Sequence, residues 1–188
     1  MITAIDKNTA LVLIDLQNNI VAYPTVHPID DIIKRSAELM HAFHTAALPV
    51  VIVTVDTYGA PWTHARKEAK QNTAPAPDGA LDITPGIKPR ETDIFIVKKT
   101  WSAFHETGLH EILQERSITN IVLGGVATSL GVEGTARSAS ALGYNVTFAI
   151  DAMTDITIEA HDRSLKYIFP RIGESGTTEK IIEQIPGA

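Results

Sequence analysis

Five short apolar runs recur along the chain: "ALVLIDL" (10–16), "PVVIVTVD" (49–56), "DIFIVK" (93–98), "NIVLGGV" (120–126) and "NVTFAID" (145–151). A strand with one wet face alternates apolar and polar residues, so runs this continuous in Val, Ile and Leu belong to strands covered on both faces. The segments between them carry the other period. Within 29–47, Ile32, Ile33, Leu39, Met40 and Phe43 recur at helical spacing, and Asp30, Lys34 and Glu38 fall on the opposite side. Helices are expected also over 108–117, 128–143, 157–169 and 178–185, with "PRIG" (170–173) supplying a short sixth strand. Strand alternating with helix implies a parallel sheet with helices on both faces. The expected fold class is therefore α/β, a three-layer α/β/α sandwich around a mainly parallel, Rossmann-like sheet. At 188 residues the chain suits one domain spanning 1–188. Residues 72–93, rich in Pro, Gly and Asp, fit no periodic template; they read either as a lid or partner-contact segment or as a solvated excursion.

Charge narrows the ligand classes. The net charge is −6 and no Lys/Arg run offers a basic patch, so a small molecule is expected as partner rather than nucleic acid. With no cysteine, disulfides, thiolate catalysis and thiolate metal sites are all excluded. The first apolar run is interrupted by Asp15 and is too short to span a bilayer, and no leader pattern precedes it. No membrane association and a cytoplasmic address are expected.

In open parallel sheets, ligands bind beyond the carboxyl ends of the strands, near the point where strand order reverses. Asp15, Asp56, Lys98, the Gly124–Gly131 turn and Asp151 stand at those ends. Asp15 ends an apolar strand, where a carboxylate is costly to bury unless paired or protonated. It reads as a general acid or base with a tuned pKa, or as a cap for the following turn. Lys98 at a neighbouring strand end could pair with it. Trp101 and Phe104 follow in "TWSAF", either walling a pocket or plugging the core. Dinucleotide and phosphate-loop fingerprints, the G-x-S-x-G elbow and H-E-x-x-H are absent, so neither cofactor nor catalytic metal is expected.

Three stretches, "ALVLIDLQN", "VKKTWSAFHETGL" and "GGVATSLGVEGTARSASALGYNVTFAIDAMTD", together resemble the isochorismatase-like hydrolase family, in order and spacing, over essentially the whole chain. The resemblance implies a six-stranded parallel sheet, a catalytic Asp at Asp15, a catalytic Lys at Lys98 and, in most members, a nucleophilic Cys. That Cys position falls on Gly131 of "ATSLGVEGTAR". A cis peptide within "GVAT" is also implied, joining Val126 to Ala127, whose backbone together with Thr128 would face the substrate.

Glycine for cysteine decides the chemistry. Without a thiol no thioester can form, so the amidase route of most members is closed. The branch acting on isochorismate lacks that Cys too; its enol-ether hydrolysis needs a carboxylic acid and water but no nucleophile. Asp15 would be the acid, Lys98 its orienting partner, and Gly131 would leave room for substrate or water. Two rivals remain: C–N hydrolysis by activated water or by Thr128 or Ser129, and a catalytically silent relative. No histidine stands beside either hydroxyl in sequence. Arg66 of "WTHARKEAK" is the first candidate to bind substrate carboxylates from a short helix facing the mouth, with Lys99 and Arg90 behind it. A homo-oligomer is expected from the resemblance.

Overall fold

A computed structural model describes residues 2–69 and 74–185. In chain order the elements are β1 (Thr9–Ile14), α1 (Asn18–Val21), α2 (Ile29–Thr45), β2 (Val50–Val55), β3 (Ile94–Lys98), α3 (Leu109–Glu115), β4 (Asn120–Val126), α4 (Glu133–Ala141), β5 (Asn145–Thr154), α5 (Ile158–Arg163), α6 (Phe169–Ile172), β6 (Glu174–Gly176) and α7 (Thr178–Ile182). The six strands form one sheet in the order β3-β2-β1-β4-β5-β6, every neighbouring pair parallel. Strand order reverses between β1 and β4, and this places the switch point at the centre of the sheet.

The continuity of the apolar runs has a direct cause. Along β1, Leu11 and Leu13 enter one hydrophobic cluster, with Leu39 and Phe43 of α2 and Ile181 of α7. Ala10, Val12 and Ile14 enter another on the opposite face, with Leu109 and Leu113 of α3, Ala136 of α4 and Phe169 of α6. Both sets are fully buried, so neither face of β1 tolerates a polar alternation. The α2 pattern also has its expected orientation: Ile32, Leu39, Met40 and Phe43 are buried, Ile33 is half-buried, and Asp30 and Lys34 are exposed.

Three boundaries depart from the sequence reading. The segment 170–173 is not a strand: Pro170 lies in α6, which follows a wide π turn, Ser164–Ile168, without a break, and β6 begins only at Glu174. Strand β5 runs on to Thr154, with a register shift against β4 between Leu123 and Gly125. Asp151 therefore lies inside β5, where its Oδ1 accepts from the Thr178 N–H and hydroxyl rather than facing the strand ends. The helix expected over 128–143 starts as a wide π turn, Thr128–Val132, before tightening into α4. Such widened turns let a helix change its side-chain register and gather at functional sites.

Of the 72–93 excursion, residues 72 and 73 lie outside the described residues. The rest is tied to the region after β1. Asn18 and Asn19 N–H groups donate to the Asp82 and Ala80 carbonyls, and Gln17 bridges to Ile83. Among the described residues, no helix is long and apolar enough to cross a membrane.

Candidate active site

The carboxyl ends of β1, β3 and β4 surround a cavity of about 310 Å³ at the switch point. Its buried lining residues include Asp15, Lys98, Val126, Ala127 and Gly131. Apolar and aromatic groups form much of the wall, among them Ile20, Tyr23, Trp62, Trp101, Leu130 and Ile156.

Asp15 turns out of β1 with φ of 52°, a left-handed conformation that non-glycine residues seldom adopt and that Asp tolerates better than most. Its N–H still bonds the Val53 carbonyl at 2.9 Å, so the turn stays anchored to β2. Gln17, fully buried, adds a second anchor: its amide accepts from the Val55 N–H at 2.6 Å and donates to the Val55 carbonyl at 3.0 Å. Across the switch point, β4 comes so close that a Cβ on Gly125, at φ of 118°, would fall on the Ile14 carbonyl. Only glycine permits that approach.

Lys98 ends β3 with 2% of its side chain exposed, and its ammonium meets Asp15 Oδ2 at 2.7 Å. It also donates to the Thr100 carbonyl at 3.0 Å. Asp15 Oδ1 is buried and has no hydrogen-bond partner among the described residues. Burial pushes the Asp15 carboxyl from its ordinary value near 3.8 up to about 6, against the opposing pull of the Lys98 ammonium. Desolvation wins, so this carboxyl takes up a proton far more readily than a surface aspartate. That is the property a proton donor at near-neutral pH requires.

Gly131 lies in the π turn beside this pair. A Cβ there would stand 3.1 Å from Asp15 Oδ2 and 2.9 Å from Ile14 Cγ2. The constraint is space rather than backbone conformation, since Gly131 is not among the residues with positive φ. The Val126–Ala127 peptide is cis, where the resemblance implies one, and both residues line the cavity.

The remaining sequence candidates divide. Trp101 lines the cavity while keeping 54% of its surface exposed. Phe104 does not join it; its ring stacks on Tyr144 at 5.8 Å and packs against the core beneath α3 and α4. Arg66 is exposed and outside the lining, since the short helical turn before it stops at His64 rather than carrying on as a helix along the mouth. Lys99 pairs with Asp56 at 2.9 Å. Arg90 sits at the opposite end of the sheet, beside Pro49 and Ile94. Thr128 is fully buried and outside the lining.

Sequence reading missed the network that holds the turn after β4. Thr128 Oγ1 lies 2.9 Å from His161 Nδ1, a histidine brought from α5, so a histidine does adjoin this hydroxyl in space. His161 packs edge-on against His27 at 4.7 Å, and His27 in turn meets the Thr154 hydroxyl at 3.1 Å. Asp155 accepts from the Ser129 N–H at 2.7 Å. Burial, with His27 adding to it, lowers the pKa of His161, which favours the neutral ring. The cue available in sequence was only the polar cluster "TDITIEAH" (154–161) after a strand. Among the described residues, no three His, Asp or Glu gather as metal ligands.

Residues 9–180 match the Isochorismatase domain family. The chain is 35% identical to the uncharacterized isochorismatase family protein YecD of Escherichia coli O157:H7, over 95% of this chain and 97% of that one. It is 37% identical to the uncharacterized isochorismatase family protein YwoC of Bacillus subtilis (strain 168), over 95% of each. The solved structure of an isochorismatase family protein from Burkholderia thailandensis superposes with a TM-score of 0.92, at 32% identity and 97% coverage of both chains. With its parallel sheet, its cavity at the switch point and these relatives along nearly its full length, the chain belongs to the isochorismatase family of hydrolase-type proteins.

Proposed function

We propose that this protein is a cofactor-independent hydrolase that works by acid–base catalysis on bound water, without a covalent intermediate, and that its reaction is hydrolysis of an enol ether, the bond type of isochorismate. One observation carries the reading: Asp15, with a pKa raised to about 6, faces a glycine at 3.1 Å from where a nucleophile's Cβ would stand. The protonated Asp15 carboxyl transfers its proton to the terminal vinyl carbon, and the electron pair of the double bond forms the new C–H bond. The cation left behind is shared with the ether oxygen. The Asp15 carboxylate then accepts a proton from water as the water oxygen adds to the cationic carbon, the one that carries the ether oxygen. Collapse of the hemiketal yields a carbonyl compound and an alcohol, and Asp15 ends protonated as it began. Lys98 orients the carboxyl and offers its remaining N–H to a substrate oxygen, since an ammonium has three donors and two are already engaged.

Amide hydrolysis by water activated at the Asp15 carboxylate is the second reading, favoured by that same pKa, because above about 6 the carboxylate is a base. The Thr128 version is disfavoured by full burial, despite His161 at 2.9 Å. A panel of isochorismate (pyruvate released), phenyl vinyl ether (phenol released) and simple amides (ammonia released) separates the outcomes. Turnover of an enol ether that disappears in Asp15→Asn is the expected result. Ammonia release would overturn it in favour of the second reading. No turnover anywhere would identify a silent relative.

A further inference from the structure

The π turn that carries Gly131 is fastened at both ends to one stretch of chain outside the cavity. At its start, the Thr128 hydroxyl lies 2.9 Å from His161 Nδ1, with both side chains buried. Just past its end, Glu133, the first residue of α4, accepts from the buried Ser164 hydroxyl at 2.6 Å. His161 and Ser164 stand three positions apart where α5 runs on into the next turn, so they share one face. Between the two fastenings, Asp155 accepts the Ser129 N–H at 2.7 Å. The Thr128 hydroxyl has no other hydrogen-bond partner among the described residues. Its proton therefore goes to Nδ1 of a neutral ring, the form that burial and His27 favour. Threonine is stiff about χ1, so holding its oxygen also holds the backbone where the turn begins. Inside the turn, the Leu130 and Val132 N–H groups share the Ala127 carbonyl at 3.1 and 3.2 Å, and Ala127, Leu130 and Gly131 line the cavity.

Resting on the reading that substrate reacts at Asp15, we propose that His161 is a positioning residue for the reacting end of the cavity. With Ser164 fastening the far end, it clasps the π turn through Thr128 and so sets how Ala127 and Gly131 face Asp15. His161, Ser164 and Thr128 are all outside the lining, so each acts on the cavity through the turn. Were the wide turn to slip by one residue along the helix, the side facing Asp15 would rotate by about 100°. Fastening both ends prevents that slip. The spatial tolerance is small, since a Cβ on Gly131 would already stand 2.9 Å from Ile14 Cγ2. The two fastenings differ in strength: Glu133 is also held by Arg137 at 2.8 Å, whereas the Thr128 side chain depends on His161 alone. The Thr128 end is the one that a single substitution can release.

Hydrogen exchange of the Leu130 and Val132 amides in the intact protein, with turnover of phenyl vinyl ether beside it, tests the clasp. Thr128→Val removes the hydroxyl and keeps the shape. It is expected to speed exchange of both amides about tenfold, while the Val122 and Phe148 amides of the sheet exchange as before. In the same variant kcat should fall about tenfold with KM within about twofold, because a displaced turn costs more in the transition state than in binding. Thr128→Ser restores the hydroxyl and should recover both readouts to within about threefold. His161→Phe, which keeps a ring without the nitrogen, should match Thr128→Val and serves in its place should that variant not fold. The double variant should be no worse than either single one, since both remove the same bond. Unchanged exchange at Leu130 and Val132 would overturn the proposal, as would faster exchange throughout the sheet, which marks a general loss of stability. Losses that multiply in the double variant, no recovery in Thr128→Ser, or a raised KM with kcat intact would overturn it too. If the wild type does not hydrolyse phenyl vinyl ether, the assigned reaction falls, and the exchange results alone decide the clasp.

Discussion

Asp15 owes its chemistry to opposed forces of unequal size. Removing the carboxyl from water raises its pKa more than Lys98 at 2.7 Å lowers it. The acid form dominates below about 6, so if Asp15 is the proton donor, kcat/KM should be level in mild acid and fall about tenfold per pH unit above ~6. A rate rising with pH through that range would reverse its role to base. Asp15→Asn should reduce enol-ether turnover by about 10²- to 10⁴-fold with an unchanged circular-dichroism spectrum. The proposed reaction turns also on Gly131. In Gly131→Cys the new Cβ meets Asp15 Oδ2 at 3.1 Å and Ile14 Cγ2 at 2.9 Å, so the carboxyl must shift by a few tenths of an ångström. Displacements of about 1 Å can cost on the order of 10² in rate, and a clear loss of enol-ether turnover with no ammonia from simple amides is expected. Efficient amide hydrolysis by this variant would mean that the pocket is still shaped for a thiol.

Elements meet at the switch point through contacts that no single element could make. Gly125 lets β4 approach the Ile14 backbone, and Gly125→Ala drives a methyl onto that carbonyl at a φ of 118°. This variant should lose about 3 kcal/mol or more of stability in urea unfolding, in contrast to surface substitutions. On the other side of the cavity, α5 reaches the π turn through His161 and Thr128. The lowered pKa of His161 means that its contribution to stability is present above 6.5 and lost as pH falls below it. Asp15 works in the opposite sense: the raised carboxyl pKa contributes stability that is full below 3.8 and lost as pH rises toward about 6. On acidification from pH 6.5 to 4.5 the urea midpoint of the wild type should therefore rise less than Asp15 alone would make it rise, because His161 pulls the other way. His161→Gln should leave the Asp15 trend alone, with midpoints rising on acidification. A flat profile in that variant would remove Asp15 from the balance.

For the molecule as a whole, the sheet has one conspicuous apolar exposure. Strand β3 is an edge strand, and Phe95 and Val97 are 53% and 60% exposed on the face opposite Ile96 and Lys98. Such side chains on a sheet edge are a liability unless covered. The expected homo-oligomer would cover them, with an interface of over ~1,000 Å² if stable. Light scattering at micromolar concentration should give a dimer or larger, and Val97→Lys should shift it toward monomer; a monodisperse wild-type monomer would count against assembly.

How much of this was legible in the chain follows from the range of the forces involved. Burial on both faces leaves continuous apolar runs, so five strands, α2 and the parallel sheet could be read directly from residue order. Asp15 and Lys98 could be placed at strand ends from residue order, whereas Gly131 stood out only through the family resemblance. The boundaries at 170–173 and in β5 could not, since Pro170 suits a helix start as well as a strand edge and the β5 extension depends on its pairing with β4. Nor could the destinations of Phe104 and Arg66, which depend on where the chain turns after Trp101 and after His64. Distances across the fold belong to tertiary structure alone: Lys98 is 83 positions from Asp15 in the chain, and His161 is 33 from Thr128. Sequence alone determined the layers and the residue types at the strand ends, because hydrophobic periodicity is local. Only the packed sheet decided that one carboxyl would be dehydrated beside a single ammonium in an apolar cavity, because desolvation depends on everything that surrounds a group.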